Sequence, residues 1–177
     1  SIRIRGITRM SSLEPTNTSP WTIRAATVDD LSWIVEFNYR LAWESESKVL
    51  ERSILSRGVA KALADSSRLR YWIAEDGNRP IGQAAVTREW SDWRDGWIWW
   101  FQSVYVIRDH RQKGVFRALF QHIHGLGRAE PDVIGFRLYV EAENQSAHAA
   151  YQSLGLKPGG YHVFEELWPD RLKPTRR

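Results

Sequence analysis

The sequence predicts an α/β domain in which a mixed, mostly antiparallel sheet is flanked by about four helices. Runs of β-branched and aromatic residues alternate with stretches whose apolar residues recur every three to four positions. Their order is β, α, α, β, β, β, α, β, α, β, which fits neither a sandwich nor a helical bundle. The length of 177 residues, 42% of them hydrophobic, with no internal repeat, suits one domain with its own core. The expected boundaries are a flexible N-terminal extension at 1–20, the domain at 21–168 and a basic C-terminal tail at 169–177.

Residues 1–20 are rich in Ser, Thr, Pro and Arg and lack periodicity. Met10, the only methionine, is the expected natural start, with 1–9 an upstream or vector-derived addition. Residues 21–25 read as a short strand. Thr27 and Asp30 then give an N-cap and an acidic first turn to a helix whose face carries Leu31, Ile34, Val35, Asn38, Leu41 and Ala42. A second helix is expected at 48–64, with Val49, Leu50, Ile54, Leu55, Val59 and Leu63 on its apolar side. Strands at 69–75 and 81–88 are joined by a loop of hairpin chemistry at 76–80. A polar loop at 90–96 leads to a long strand ending near Ile107, followed by a helix from about Gly114 to Gly127. A strand at 133–141, a helix at 146–154 and a last, alternating strand at 161–167 complete the order.

The formal net charge is +4, so where the charge lies decides whether nucleic acid is a partner. Arg3, Arg5 and Arg9 stand against Glu14 in the first segment, and Arg171, Lys173, Arg176 and Arg177 against Asp170 in the last. Removing those seven basic and two acidic residues from the 25 and 21 leaves 18 and 19, so the body is about neutral and no nucleic-acid partner is expected. With no cysteine, disulfides, thiolate nucleophiles and zinc–thiolate sites are excluded. No metal is expected either, since His122 and His124 lie two apart on a helix and face different ways. No apolar run reaches the ~20 residues of a membrane span. The expected setting is cytoplasmic, with no membrane partner.

The most informative stretch runs from Val104 to Leu119. A strand passes through a basic, glycine-containing turn into a helix with Val115, Phe116, Leu119, Phe120 and Ile123 on one face. A helix N-terminus offers unpaired N–H groups and partial positive charge, and Gly114 lets a phosphate approach that backbone. Arg111, Lys113 and Arg117 add full charges around it. This reads as a pyrophosphate cradle; an ordinary βα unit with solvated basic residues is the plainer alternative.

About thirty residues later, Asn144 ends a strand, Ala147 and its small neighbours open a helix, and Tyr151 follows Asn144 by seven. Asn144 can offer its amide to a peptide-like arm or simply cap the helix. Tyr151 can donate a proton to a leaving thiolate or serve as a core aromatic.

Taken in this order, the two stretches resemble the (Gln/Arg)-x-x-Gly-x-(Gly/Ala) and Asn-x-x-Ala-x-x-x-Tyr motifs of the GNAT superfamily of N-acetyltransferases, over about residues 21–168. Phe116 departs, standing where the family usually has Gly or Ala. The resemblance implies the GNAT fold and direct attack of an amine on the thioester of acetyl-CoA, with no protein nucleophile. It places acetyl-CoA against Arg111, Gln112, Lys113, Gly114, Val115, Phe116, Arg117, Asn144, Ala147 and Tyr151. It also implies an oxyanion donor on the backbone in the region of Tyr105, Val106 and Ile107, and Tyr151 as acid. The preceding strand is similar to that of polyamine acetyltransferases, but their acidic pair falls on Gln102 and Ser103. Glu141, Glu89, Glu44 and Tyr105 therefore remain candidates for the base, as does water held by Gln102 and Ser103, with Glu141 the expected catalytic carboxylate. In the family the first two helices and the loop before this strand border the acceptor, which brings in Trp43, Glu44, Glu46, Trp90 and Trp93 as an aromatic and acidic pocket for a cationic amine. A small primary amine is the expected acceptor. A protein N-terminal or lysine acetyltransferase and a non-catalytic acyl-CoA sensor are the alternatives. Superfamily members often dimerise, and a homodimer through the Trp-rich strands or the last strand is expected.

Overall fold

The computed structural model describes residues 19–172. The expected start at Met10, the segment before it and the end of the basic tail lie outside the described residues. Along the described chain come β1 (Thr22–Ala25), α1 (Leu31–Glu46), α2 (Arg52–Ala64), β2 (Arg70–Asp76), β3 (Arg79–Ser91), β4 (Gly96–Val106), α3 (Val115–Ala129), β5 (Val133–Leu138) and α4 (Gln145–Ser153). The sheet order is β1-β2-β3-β4-β5, antiparallel from β1 to β4, with β5 parallel to β4. That one parallel step needs a crossover, and α3 supplies it. Among the described residues no helix is long and apolar enough to cross a membrane.

Strand alternation sends Trp72, Ala74, Ala84 and Val86 to one face of the sheet and Tyr71, Ile73 and Ala85 to the other. Leu119, Ile123, Val115 and Phe120 of α3 pack on the first face with Trp99 and Phe101, and Ile34, Val59 and Ala62 of α1 and α2 pack on the second. Burying each large side chain contributes about 1.5–3 kcal/mol, which outweighs the roughly 1 kcal/mol that each of Gly125 and Gly127 costs a helix. Gly127 is also required by space, since a Cβ there would lie 2.5 Å from the Phe136 ring.

Helix starts follow local chemistry. The Asp30 carboxylate accepts the Thr27 N–H at 2.7 Å and two hydrogen bonds from the Arg24 guanidinium, each 2.8 Å, while Arg24 also reaches Glu75 at 2.9 Å. One arginine thereby joins β1, β2 and the start of α1. The second helix begins at Arg52, not near 48, because the Glu51 carboxylate takes up the Ser53 and Ile54 N–H groups, each at 3.1 Å.

Three strand expectations are corrected. β3 continues to Ser91, pairing Trp90 with Trp97, so the loop starting at 90 is shorter than expected. β5 stops at Leu138, short of Glu141. The cause is a bulge in β4: Gln83 pairs with Tyr105 and Ala85 with Gln102, leaving Ser103 and Val104 opposite Ala84 alone. Ser103 takes φ +50°, and the last pair between β4 and β5 is Phe101 with Leu138. Finally, residues 161–167 form no strand and lie exposed. Their alternation is a capacity to pair, and no strand among the described residues takes it up.

Candidate active site

Where β4 parts from β5, the sheet opens a cleft of about 490 Å³ between the end of α1 and the start of α4. Ser45, Glu46 and Lys48 line one wall. Tyr139, Val140, Glu141, Asn144, Ala147 and Tyr151 line the other. Of the residues expected to act, Glu141, Asn144, Ala147 and Tyr151 are therefore brought together. Glu46 and Lys48 form an ion pair at the rim.

The β5-facing backbone of β4 past Phe101 has no strand partner among the described residues. Ile107 donates its N–H to Ile81 of β3 at 2.9 Å, which removes it as an oxyanion donor. The N–H and C=O of one strand residue share an edge, and neighbouring residues alternate. The Val106 carbonyl faces the loop beyond β4, where it accepts from Arg111 Nε at 2.9 Å, so the Val106 N–H points to that open edge as well.

The turn after β4 is built for close approach. A 3-10 turn, Arg108–His110, leads to Gln112 at φ +60° and Gly114 at φ +83°, and α3 starts with no side chain capping it. Its first N–H groups, from Val115, Phe116 and Arg117, face outward unpaired by the helix. From outside the loop, Trp21 Nε1 donates to the Lys113 carbonyl at 3.1 Å, holding that oxygen away from the terminus. Lys113 and Arg117 are exposed. Arg111 instead leans on Glu44 of α1, which also accepts from the Tyr105 hydroxyl at 3.0 Å. Burial pushes the Glu44 carboxyl up, but the Arg111 and Tyr105 hydrogen bonds prevail and hold it below the usual carboxylate range. Burial, then Glu44, push the Tyr105 phenol up. Neither group is suited to take a proton near neutrality.

Asn144 does cap α4, its Oδ1 accepting the Ala147 N–H at 3.0 Å. Its Nδ2 is left over for another acceptor, so the two readings of this residue are compatible. Burial raises the Tyr151 phenol above its ordinary value, which keeps it protonated and able to donate. Gln102 donates to Thr87 at 2.7 Å, and Glu89 accepts from Trp100 at 2.6 Å and Arg137 at 3.1 Å.

The aromatic pocket is not assembled as expected. Trp43 lies exposed near the end of α1, beside Glu44. Trp90 and Trp93 sit at the hairpin end of β3 and β4, and the strand between Trp97 and Tyr105 spans roughly 26 Å. Trp90 packs edge-on against Trp97 at 5.0 Å, and Trp93 is 86% exposed.

Two residues that sequence reasoning passed over support the bulge. Gln83, fully buried, donates from Nε2 to Asn38 Oδ1 at 2.9 Å and to the Ser103 carbonyl at 3.0 Å, and Asn38 donates to the Tyr71 hydroxyl at 3.3 Å. An amide amid Gly82, Ala84 and Ala85, and an Asn on an apolar helix face, were the available signals. Among the described residues no group of His, Asp or Glu side chains could hold a metal.

The model of the acetyltransferase (GNAT) family matches residues 28–156. Among solved structures, a protein from Clostridium difficile 630 described as a possible acetyltransferase is 40% identical, covering 84% of this chain and 97% of its own, with a TM-score of 0.78. A protein from Clostridium acetobutylicum, described as a predicted acetyltransferase with acetyl-CoA, is 18% identical over 82% of this chain and 96% of its own, at a TM-score of 0.68. The GCN5-related N-acetyltransferase from Ralstonia eutropha JMP134, 17% identical over 82% and 98%, has the same fold at 0.67. No curated protein matches. The five-stranded mixed sheet, its four helices and the family match over most of the domain agree: this chain belongs to the GNAT family of acetyltransferases, enzymes that transfer an acetyl group from acetyl-CoA.

Proposed function

We propose that the protein acetylates a primary amine of a small, cationic molecule. The observation that carries this reading is the single cleft in which the motif residues Asn144, Ala147 and Tyr151, with Glu141 on the same wall, face Glu46 at the end of α1. Acetyl-CoA supplies the activated acyl group, its pyrophosphate taken by the N–H groups of Val115, Phe116 and Arg117 with Gln112, Lys113 and Gly114 around it. Asn144 Nδ2 orients the pantetheine arm. Glu141 accepts the proton of the amine, since an ammonium has no lone pair with which to attack. The Val106 N–H donates to the oxygen on which charge develops, and Tyr151 Oη protonates the leaving sulfur. Glu44, Trp43, Gln102 and Ser103 border the acceptor. The reading includes a homodimer.

The test is thiol release from acetyl-CoA across small mono-, di- and polyamines beside peptides with free N-termini or lysines. Release with small cationic amines, reduced about 100-fold in kcat by Tyr151→Phe, is expected. Release with peptides alone replaces the acceptor by a protein, and acetyl-CoA binding without release across the panel replaces the enzyme by a sensor.

A further inference from the structure

Phe116 stands at the one place where the anion-binding turn departs from the small residue of the family pattern, and its ring is engaged. It meets the Tyr151 ring edge-on, centroids 5.6 Å apart and planes at 79°. On its other side it leans on Phe120, at 6.2 Å and 57°. Phe120 in turn stacks on Phe101 of β4 at 5.3 Å and 21°. A continuous series of rings therefore runs from the centre of the sheet to the phenol, through one stacked, one tilted and one edge-on pair.

The fourth helix gives Tyr151 little other anchorage. None of its nine residues is fully buried, and Phe116 makes the one ring contact of Tyr151 among the described residues. Leu154 and Leu156, beyond the helix, pack on the core and fix its far end. The rotamer of the phenol is left to whatever stands beside it. Glycine or alanine at position 116 offers no surface there.

We propose that Phe116 is the positioning residue for Tyr151, holding the phenol where its hydroxyl meets the leaving sulfur. This rests on the reading of Tyr151 as the acid. Phe116 touches no reacting atom; it works through the ring it orients. Its backbone is the second residue of α3, so the seat of the pyrophosphate and the direction of the acid are referenced to the same residue. Displacing a catalytic group by about 1 Å costs on the order of 100-fold in rate, so a loose phenol is a large loss even in a folded enzyme.

The experiment is a double-mutant cycle on the full chain, with kcat and the KM for acetyl-CoA measured for wild type, Phe116→Ala, Tyr151→Phe and the pair. Phe116→Ala alone is expected to lower kcat about tenfold or more while changing KM less than about threefold. Added to Tyr151→Phe it has no further effect on kcat, because the group it positions is gone. Phe116→Trp, which keeps an aromatic edge, recovers most of kcat. Should the alanine variant fail to fold, Phe116→Leu keeps the volume without the edge and replaces it in the cycle. An equal loss in both backgrounds, or a loss confined to the KM for acetyl-CoA, overturns the proposal. Full activity of Tyr151→Phe by itself removes the acid and with it the role of Phe116, a result visible before the cycle is closed.

Discussion

Glu44 is the point at which the two halves of the site touch. Its carboxylate, on α1, receives Arg111 from the turn after β4 and the hydroxyl of Tyr105 from β4 itself. Held below the usual carboxylate range, it stays charged at every pH at which an amine can be acetylated, and it serves as a fixed negative charge. Glu44→Gln keeps the size and an acceptor oxygen but removes that charge. Losing one partner of a charged hydrogen bond in a half-exposed site is worth about tenfold in binding. The expected outcome is a KM for a diamine acceptor raised about tenfold with kcat nearly unchanged. A rise in the KM for acetyl-CoA alone would assign Glu44 to holding Arg111 and not to the acceptor.

At the scale of elements, what was legible in the sequence was what is local. The turn into α3 announces itself by its glycine, its charges and an apolar spacing that all lie within sixteen residues. The bulge in β4 does not, because Gln102, Ser103, Val104 and Tyr105 read as uninterrupted strand. Its support joins Gln83 to Ser103 and to Asn38, residues 20 and 45 apart in sequence. The start of α1 is a middle case, since the Thr27 and Asp30 cap is visible in sequence and its third partner, Arg24, is not. Arg24 lowers the Asp30 carboxyl below its ordinary 3.8, with burial opposing and the Thr27 N–H assisting. The contribution of Asp30 is therefore complete above about 3.8, its unfolded value, and is lost as pH falls through the lower folded value. Asp30→Asn is expected to cost about 2 kcal/mol at pH 7, and the gap from wild type in melting temperature should close in acid. A gap that stays constant down to pH 2 would show that the carboxylate charge is not what holds β1 to α1.

For the whole molecule, the corrected last strand and the expected dimer are one problem. Tyr161, Val163 and Leu167 alternate as strand residues do, yet all are exposed, and Phe164 between them is 96% exposed. Monomers seldom leave such a contiguous apolar strip to water. The sheet order also leaves β5 at an edge with unpaired backbone on its outer side among the described residues. A strip that can form a strand and an edge that lacks one are complementary, but sequence periodicity has no means of naming the chain that brings them together. A second copy would supply both halves twice, which is how a two-fold dimer closes. Light scattering should then give a mass about twice 20.6 kDa at micromolar concentration. Val163→Asp with Leu167→Asp is expected to yield monomers, because each charge would have to be buried unpaired in the interface. Neither residue lines the cleft, so acetyl transfer by the monomer should persist. A wild-type mass of one chain at 100 micromolar would mean that this strip is left to solvent or to a different protein.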